Sequence, residues 1–135
     1  MRLAILIVCL VALANCDEKT PTGPTVPLNQ EVTLARGQAG VIEGTGIRIQ
    51  FVAVTGDSRC PADVVCIQGG DAVVHVRSVE GGNSADYELH TGDASRAAVT
   101  QRGVRIALIQ LQPYPFSSRK IEPDDYRATL VVSKP

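Results

Sequence analysis

Tryptophan is absent from this chain of 135 residues, which has only three tyrosines and two phenylalanines. A surface that stacks on single-stranded nucleic acid needs aromatic side chains, so this composition argues against one. An excess of charge of one sign is also lacking, since 13 basic residues are matched by 14 acidic residues. We therefore expect no polyanion-binding surface and no nucleic-acid partner.

The motifs of common enzymes are missing as well. The sequence contains no Gly-x-Ser-x-Gly, no His-Glu-x-x-His and no phosphate-binding loop. Its two histidines, His75 and His90, lie in alternating runs that predict outward, solvent-facing positions on strands. We predict no catalytic residues, no metal site and no cofactor. The alternative is a small envelope hydrolase or metal-dependent enzyme that uses these histidines and nearby aspartates.

Residues 3–13 form an unbroken apolar run, too short to cross a bilayer as a helix and typical of an export signal. Leu-Ala-Asn-Cys at residues 13–16 resembles the lipobox of bacterial lipoproteins, with Asn15 where that motif usually has Gly, Ala or Ser. The resemblance implies that residues 1–15 are a cleaved signal peptide and that Cys16 is acylated. It also implies a lipid-anchored protein of the bacterial cell envelope, in the inner or the outer membrane. The alternative is an ordinary cut after Ala14, which would give a secreted or periplasmic protein.

Residues 16–28 are predicted to form a tether behind the lipidated cysteine. Pro21, Pro24 and Pro27 are spaced by three residues, which is the repeat of a polyproline II helix. Eleven residues in that conformation would extend about 34 Å. A Pro-x-x-Pro ligand for a partner domain is the alternative interpretation.

The remaining residues, 29–135, are predicted to form one all-β domain. Short alternating runs recur between Gly-rich or Asp-rich breaks, and hairpins are expected at residues 44–46 and 80–83. Long links at 92–103 and 113–125 favour crossovers, and Tyr126 resembles the tyrosine corner of immunoglobulin-like domains. The predicted fold is an antiparallel β-sandwich of about seven strands, Greek-key or immunoglobulin-like, with one disulfide. The strand candidates are residues 31–35, 40–43, 47–54, 72–79, 85–91, 104–112 and 126–133.

Two of the four cysteines are expected to form that disulfide. Cys9 would leave with the signal and Cys16 would be acylated, so Cys60 and Cys66 remain to pair in an oxidising compartment. The bond would close a seven-residue loop, worth about 2.4 kcal/mol in the chain-entropy model. A redox or metal pair is the alternative for these cysteines.

Charged residues around this loop are the candidate binding residues, namely Asp57, Arg59 and Asp63. Arg59 would pair with a neighbouring carboxylate and clip the loop. Calcium bound by Asp57, Asp63 and Asp71 is the alternative, but the spacing matches no known calcium loop and turn aspartates explain the same pattern.

The sequence Asp-Ser-Arg-Cys-Pro at residues 57–61, followed by Cys66 and Gly70, resembles a signature of small uncharacterised bacterial envelope lipoproteins. Gly-Gln at residues 37–38 and a final Tyr-x-Ala-x-Leu at 126–130 extend the resemblance over about 100 residues. The group often has Trp where this chain has Gln68. The resemblance implies an architecture and no activity.

Together these patterns predict a membrane-tethered lipoprotein with a non-enzymatic binding or structural domain. Its partners would be the membrane, through the lipid, and an envelope protein or glycan. A protein inhibitor that presents the constrained loop to a protease is a further alternative.

Overall fold

The computed structural model describes residues 23–135, and this part of the chain consists mainly of β-strands and their connections. Its two helical elements are single 3-10 turns, at Ala94–Arg96 and Pro123–Asp125. Within residues 23–135, no helix is long and apolar enough to cross a membrane. The strands are β1 (Thr25–Val26), β2 (Glu31–Ala35), β3 (Ala39–Ile42), β4 (Arg48–Asp57), β5 (Ala72–Glu80), β6 (Asn83–His90), β7 (Ala98–Gln101), β8 (Val104–Gln112) and β9 (Arg127–Ser133).

These strands form two sheets, with the orders β1-β3-β4-β5-β6 and β2-β9-β8-β7. Neighbouring strands pair antiparallel, except that β1 runs parallel to β3. Side chains from both sheets share one hydrophobic core. The predicted all-β antiparallel sandwich is therefore confirmed.

The second sheet has the strand order of a Greek key. The chain leaves this sheet after β2, builds β3 to β6 in the other sheet and returns at β7. Its last strand, β9, then lies between β8 and β2, so the first strand of the sheet neighbours the last.

Alternation of apolar and polar residues accounts for the two central strands of the first sheet. In β5, Ala72, Val74 and Val76 are buried while the residues between them are partly exposed. In β4, Ile49 and Phe51 are buried in the same way, but a bulge after Phe51 shifts the register. Ala53, which the alternation placed on the same face, is therefore only partly buried.

The core is aliphatic apart from the rings of Phe51 and Tyr126, as the composition indicated. Burying each large side chain contributes roughly 1.5–3 kcal/mol, so these residues supply most of the driving force for folding. The largest fully buried side chains are Phe51, Leu34, Ile42, Ile49, Leu89, Ile106 and Leu130.

Both predicted hairpins are present. Residues 44–46 connect β3 to β4, and Gly81-Gly82 connects β5 to β6. Gly81 and Gly82 have φ values of 54° and 82°, which a two-residue hairpin of type I′ requires and glycine adopts at no steric cost. We call this end of the sandwich the hairpin end. The opposite end, where β4 ends and β5 begins, is the loop end.

Two short strands were not predicted. The predicted long link at residues 92–103 contains β7, an edge strand of four residues. The predicted tether, residues 16–28, contains β1, whose Val26 is fully buried in the core. The folded domain therefore begins before residue 29, because this segment pairs with the exposed edge of β3.

Candidate functional site

The segment between β4 and β5 forms the most distinctive feature of the loop end. Cys60 and Cys66 are joined by a disulfide with an S–S distance of 2.08 Å, which confirms the predicted pairing. At the base of the segment, the Ser58 backbone N–H donates to the Asp71 carbonyl at 2.7 Å. The disulfide thus closes a small loop, residues 60–66, inside the larger loop that the Ser58–Asp71 hydrogen bond closes. We call residues 58–70 the disulfide loop.

A buried ion pair holds the first residues of this loop. Arg59 donates from Nε and Nη2 to the two carboxylate oxygens of Asp57, at 2.8 and 2.7 Å. Its Nη1 and Nη2 also donate to the carbonyls of Leu111 and Pro113, at 2.8 and 3.0 Å. The side chains of Arg59 and Asp57 are only 6% and 13% exposed. Arg59 therefore fixes the disulfide loop to the end of β8.

Tyr126, which directly precedes β9, completes this cluster. Its hydroxyl donates to Asp57 Oδ2 at 2.9 Å across 69 positions of sequence. A tyrosine corner would bond to backbone a few residues upstream, so the predicted corner is replaced by a side-chain contact. Arg59 also lies over the Tyr114 ring, with its guanidinium carbon 5.5 Å from the ring centre.

The contacts of Asp57 set the protonation of this cluster. Burial raises the pKa of Asp57, but hydrogen bonds from Arg59 and Tyr126 outweigh it and leave the pKa below its usual value. Burial and the bond to Asp57 raise the pKa of Tyr126 to about 12. At neutral pH the cluster therefore contains a carboxylate, a guanidinium and a neutral phenol.

A second contact fixes the middle of the disulfide loop. Asp63 accepts hydrogen bonds from the Ser117 hydroxyl and from the Ser117 backbone N–H, the latter at 2.9 Å. These bonds lower the pKa of Asp63. The Ala62 backbone N–H donates to the Pro115 carbonyl at 2.9 Å. Asp63 is thus a bracing residue between the disulfide loop and the β8–β9 connection.

Exposed apolar side chains concentrate beside these contacts. Val65 and Ile67 are fully exposed in the disulfide loop. Among the described residues, all large hydrophobic side chains in the exposed class lie in the disulfide loop, in β8 or in the connection that follows β8. We call this set the loop-end apolar surface; its members are Val64, Val65, Ile67, Ile109, Tyr114 and Phe116.

An open cavity of about 310 Å³ adjoins this surface. Arg59 and Gly70 of the disulfide loop line it on one side, and His90 lies at the end of β6. Ile109 and Tyr114 line it as well and belong to the loop-end apolar surface. The cavity therefore shares two of its lining residues with the loop-end apolar surface.

The environment of His90 differs from the prediction. The expected outward, solvent-facing position is wrong, since His90 is only 7% exposed. Its Nδ1 lies 2.5 Å from Asp71 Oδ2, and its Nε2 lies 3.2 Å from Nη1 of Arg96 in the 3-10 turn after β6. Burial raises the pKa of Asp71, but bonds from His90 and the Gly92 N–H outweigh it and lower the pKa overall.

The remaining candidates do not converge. His75 is partly buried and lies 3.7 Å from Asp86, so the two histidines contact different aspartates. Asp57, Asp63 and Asp71 likewise have separate partners. Within residues 23–135, no group of three or more potential metal ligands is found. The lipidation candidate, Cys16, lies outside the described residues.

Comparisons of the chain with known protein families, with curated protein sequences and with solved structures find no match.

The apolar residues at the loop end are the functional candidates that sequence reasoning missed. The signal was present, because Val64, Val65 and Ile67 lie in a segment with no strand pattern, between a Pro-Ala-Asp turn and a Gly-Gly pair. Apolar residues there have no sheet face to pack against. For Phe116, the flanking Pro-Tyr-Pro segment was a similar indication of an irregular connection.

Proposed function

We propose that this protein is a membrane-tethered binding module of the bacterial cell envelope. An acylated Cys16 would hold it at the membrane, and the loop end of the sandwich would make the contacts. Residues 13–16 support the anchor, because a short export signal ends there at a cysteine followed by a Pro-rich segment.

The loop-end apolar surface is the observation that carries the proposal. Exposed apolar side chains scattered singly need no explanation, but their concentration in three neighbouring segments at one end of the sandwich points to an interaction site. The disulfide, the Arg59 contacts and the Asp63–Ser117 contacts hold this group in place. A rigid loop loses little conformational entropy on binding, so bracing of this kind favours affinity.

The polar groups around the cavity support a non-enzymatic role. Arg59 is engaged by Asp57 and two carbonyls, and His90 lies between Asp71 and Arg96. The Thr91 hydroxyl accepts a hydrogen bond from the Ala72 N–H at 2.9 Å. The Thr91 hydroxyl also lies 3.4 Å from Asp71 Oδ1, but that carboxylate is already bound by His90 and by the Gly92 N–H, so these groups serve internal contacts.

Site-specific photocrosslinking in cells tests the binding role. A photoreactive side chain in place of Ile67 should form a covalent adduct with the molecule that it contacts, whether a lipid or a protein. Val65→Asp in the same chain should remove this adduct. The matched control is the same photoreactive side chain in place of Ser84, which is exposed in β6 near the hairpin end. Equal or absent labelling at the two positions would refute a binding role for the loop end.

Protease inhibition is a second candidate, favoured by the full exposure of Val65 and Ile67 on a disulfide-closed loop. An inhibitor of this type should lower the peptidase activity of its target, and Val65→Asp should weaken inhibition about tenfold, as for a central interface residue. Ser84→Asp is the control. Full peptidase activity of serine and cysteine proteases in the presence of the chain would exclude this candidate.

A further inference from the structure

The direction of β1 shows toward which end of the sandwich the backbone runs at Gly23, the first described residue. Thr25 and Val26 pair with Val41 and Ile42 in parallel register. Since β3 is antiparallel to β4, β1 also runs opposite to β4, away from the loop end. Followed back from Thr25 toward Gly23, the backbone therefore heads toward the loop end.

The chain between Cys16 and Gly23 is long enough to span the distance from Gly23 to the base of the disulfide loop. Gly23 lies beside Ala39, which pairs with Gln50. From that level to the base of the disulfide loop, the sheet extends five residues along β5, from Arg77 to Ala72, or about 17 Å. Cys16 precedes Gly23 by seven residues, which span at most about 25 Å in any conformation. Seven extended residues are therefore long enough to bring a lipid on Cys16 to the base of the disulfide loop.

The composition of the loop end suits the interface of a bilayer. Aliphatic side chains project from the disulfide loop, and Tyr114 and Phe116 stand beside them. Tyrosine favours the headgroup region, where its ring and hydroxyl meet different surroundings. Arg119 and Lys120 are exposed in the same connection, although Lys120 also lies 3.0 Å from Glu122. Glu122, Asp124 and Asp125 are exposed in this connection too, so the contact with the bilayer would depend on the apolar side chains and not on net charge.

We propose that the loop-end apolar surface docks on the bilayer that holds the protein's own lipid anchor. The inference rests on the proposed tether at Cys16 and names the occupant of the proposed binding surface. A partner protein could bind the surface whether or not the loop lies at the same level as the lipid anchor. The bilayer is favoured because the segment between Cys16 and Gly23 is long enough to reach the end of the sandwich that carries the loop. Docking would fix the sandwich upright, with its hairpin end directed away from the membrane.

A single-tryptophan reporter tests this inference, because the chain has no tryptophan of its own. The full chain carrying Ile67→Trp would be extracted from membranes and reconstituted in vesicles of phosphatidylethanolamine and phosphatidylglycerol with brominated acyl chains. Docked interfacial residues lie roughly 5–10 Å below the headgroups, so about half of the emission should be lost to bromine quenching. Ser84→Trp, at the hairpin end, is the matched control and should keep its emission.

A further variant tests the apolar contact itself. Val65→Asp in the Ile67→Trp chain should restore most of the emission, because a carboxylate at the tip opposes insertion. Circular dichroism of each variant would show that the sandwich is retained. Both exchanged side chains are fully exposed, so packing is not disturbed.

Flotation of the same vesicles separates the possible outcomes. Flotation with quenching at residue 67 alone supports docking. If the chain floats but bromine quenches the two reporters to the same extent, docking is overturned and the tether is left intact. A protein adduct at position 67 in cells, combined with that result, would assign the surface to a protein partner. A chain that does not float overturns both the docking and the tether.

Discussion

Among single residues, Arg59 joins three segments of the loop end. Its guanidinium contacts the carboxylate of Asp57 in β4, the Leu111 carbonyl in β8 and the Pro113 carbonyl after β8 while almost fully buried. Removing one partner of a buried ion pair leaves the other charge without compensation. Arg59 is thus a structural residue of the candidate site, and the groups available to a partner are the apolar side chains around it.

Arg59→Ala should lower the free energy of unfolding by about 3 kcal/mol, because Asp57 and two carbonyls lose their donors. Urea denaturation measures this change. The control is Arg77→Ala, whose ion pair with Asp86 is 42% and 45% exposed and should contribute less than about 1 kcal/mol. Equal losses for the two variants would show that the buried cluster has no special role.

The raised pKa of Tyr126 leads us to predict a loss of stability at alkaline pH. Its pKa is raised from 10.0 to about 12, first by burial and then by the bond to Asp57, so folding favours the neutral phenol. This contribution is complete below the ordinary pKa and is lost as the pH rises toward about 12. Urea denaturation across this range should show a steeper decline for the natural chain than for Tyr126→Phe. Parallel curves would contradict the assignment.

At the scale of elements, the disulfide stabilises the loop more than the sandwich. The bond closes seven residues, and the core lies elsewhere. Exchanging Cys60 and Cys66 for serine together should cost at most about 2.4 kcal/mol and leave the β-sheet spectrum unchanged. Circular dichroism with thermal unfolding measures both quantities. Loss of the folded spectrum would mean that the sandwich depends on the loop.

We predict that alanine at Gly70, at the base of the disulfide loop, lowers stability much more than alanine at the neighbouring Gly69. A Cβ there would lie 1.5 Å from the Ser58 carbonyl oxygen, whereas a Cβ at Gly69 would meet nothing within 4 Å. Gly70→Ala should therefore cost more than about 2 kcal/mol, since backbone must move, and Gly69→Ala should change stability by less than about 0.5 kcal/mol. Urea denaturation compares the two neighbours, and similar values would refute the close approach.

Elements with strong periodicity could be predicted from the sequence. The seven strand candidates correspond to β2, β3, β4, β5, β6, β8 and β9, because alternation over several residues reflects one buried face. The two unpredicted strands lack that signal. Residues 98–101 are too short to establish a period, and the proline spacing around residues 25–26 indicated an extended tether. Their strand pairing depends on the sheet edges that they meet.

At the scale of the whole molecule, long-range contacts set the limit of prediction for the site. The Cys60–Cys66 pairing followed from counting cysteines, and the pairing of Arg59 with a nearby carboxylate followed from proximity in sequence. The bond from Tyr126 to Asp57 joins residues 69 positions apart and has no local signal. His90 likewise has an outward position by alternation, but the turn carrying Arg96 covers it.

The two ends of the sandwich differ in structure. Tight hairpins close one end, and the other carries the cavity, the braced disulfide loop and the loop-end apolar surface. Followed back from Thr25 to Gly23, the backbone heads toward that second end. A lipid at Cys16 would therefore place the loop end, and not the hairpins, beside the membrane.

The identity of the mature N-terminus tests the central claim of a lipid-tethered module most directly. Intact-mass spectrometry of the chain extracted from bacterial membranes should show a protein that begins at Cys16 and carries a diacylglyceryl group. Cys16→Ser should lack that mass and leave the membrane fraction. An unacylated chain beginning at Asn15, recovered in the soluble fraction, would contradict the account.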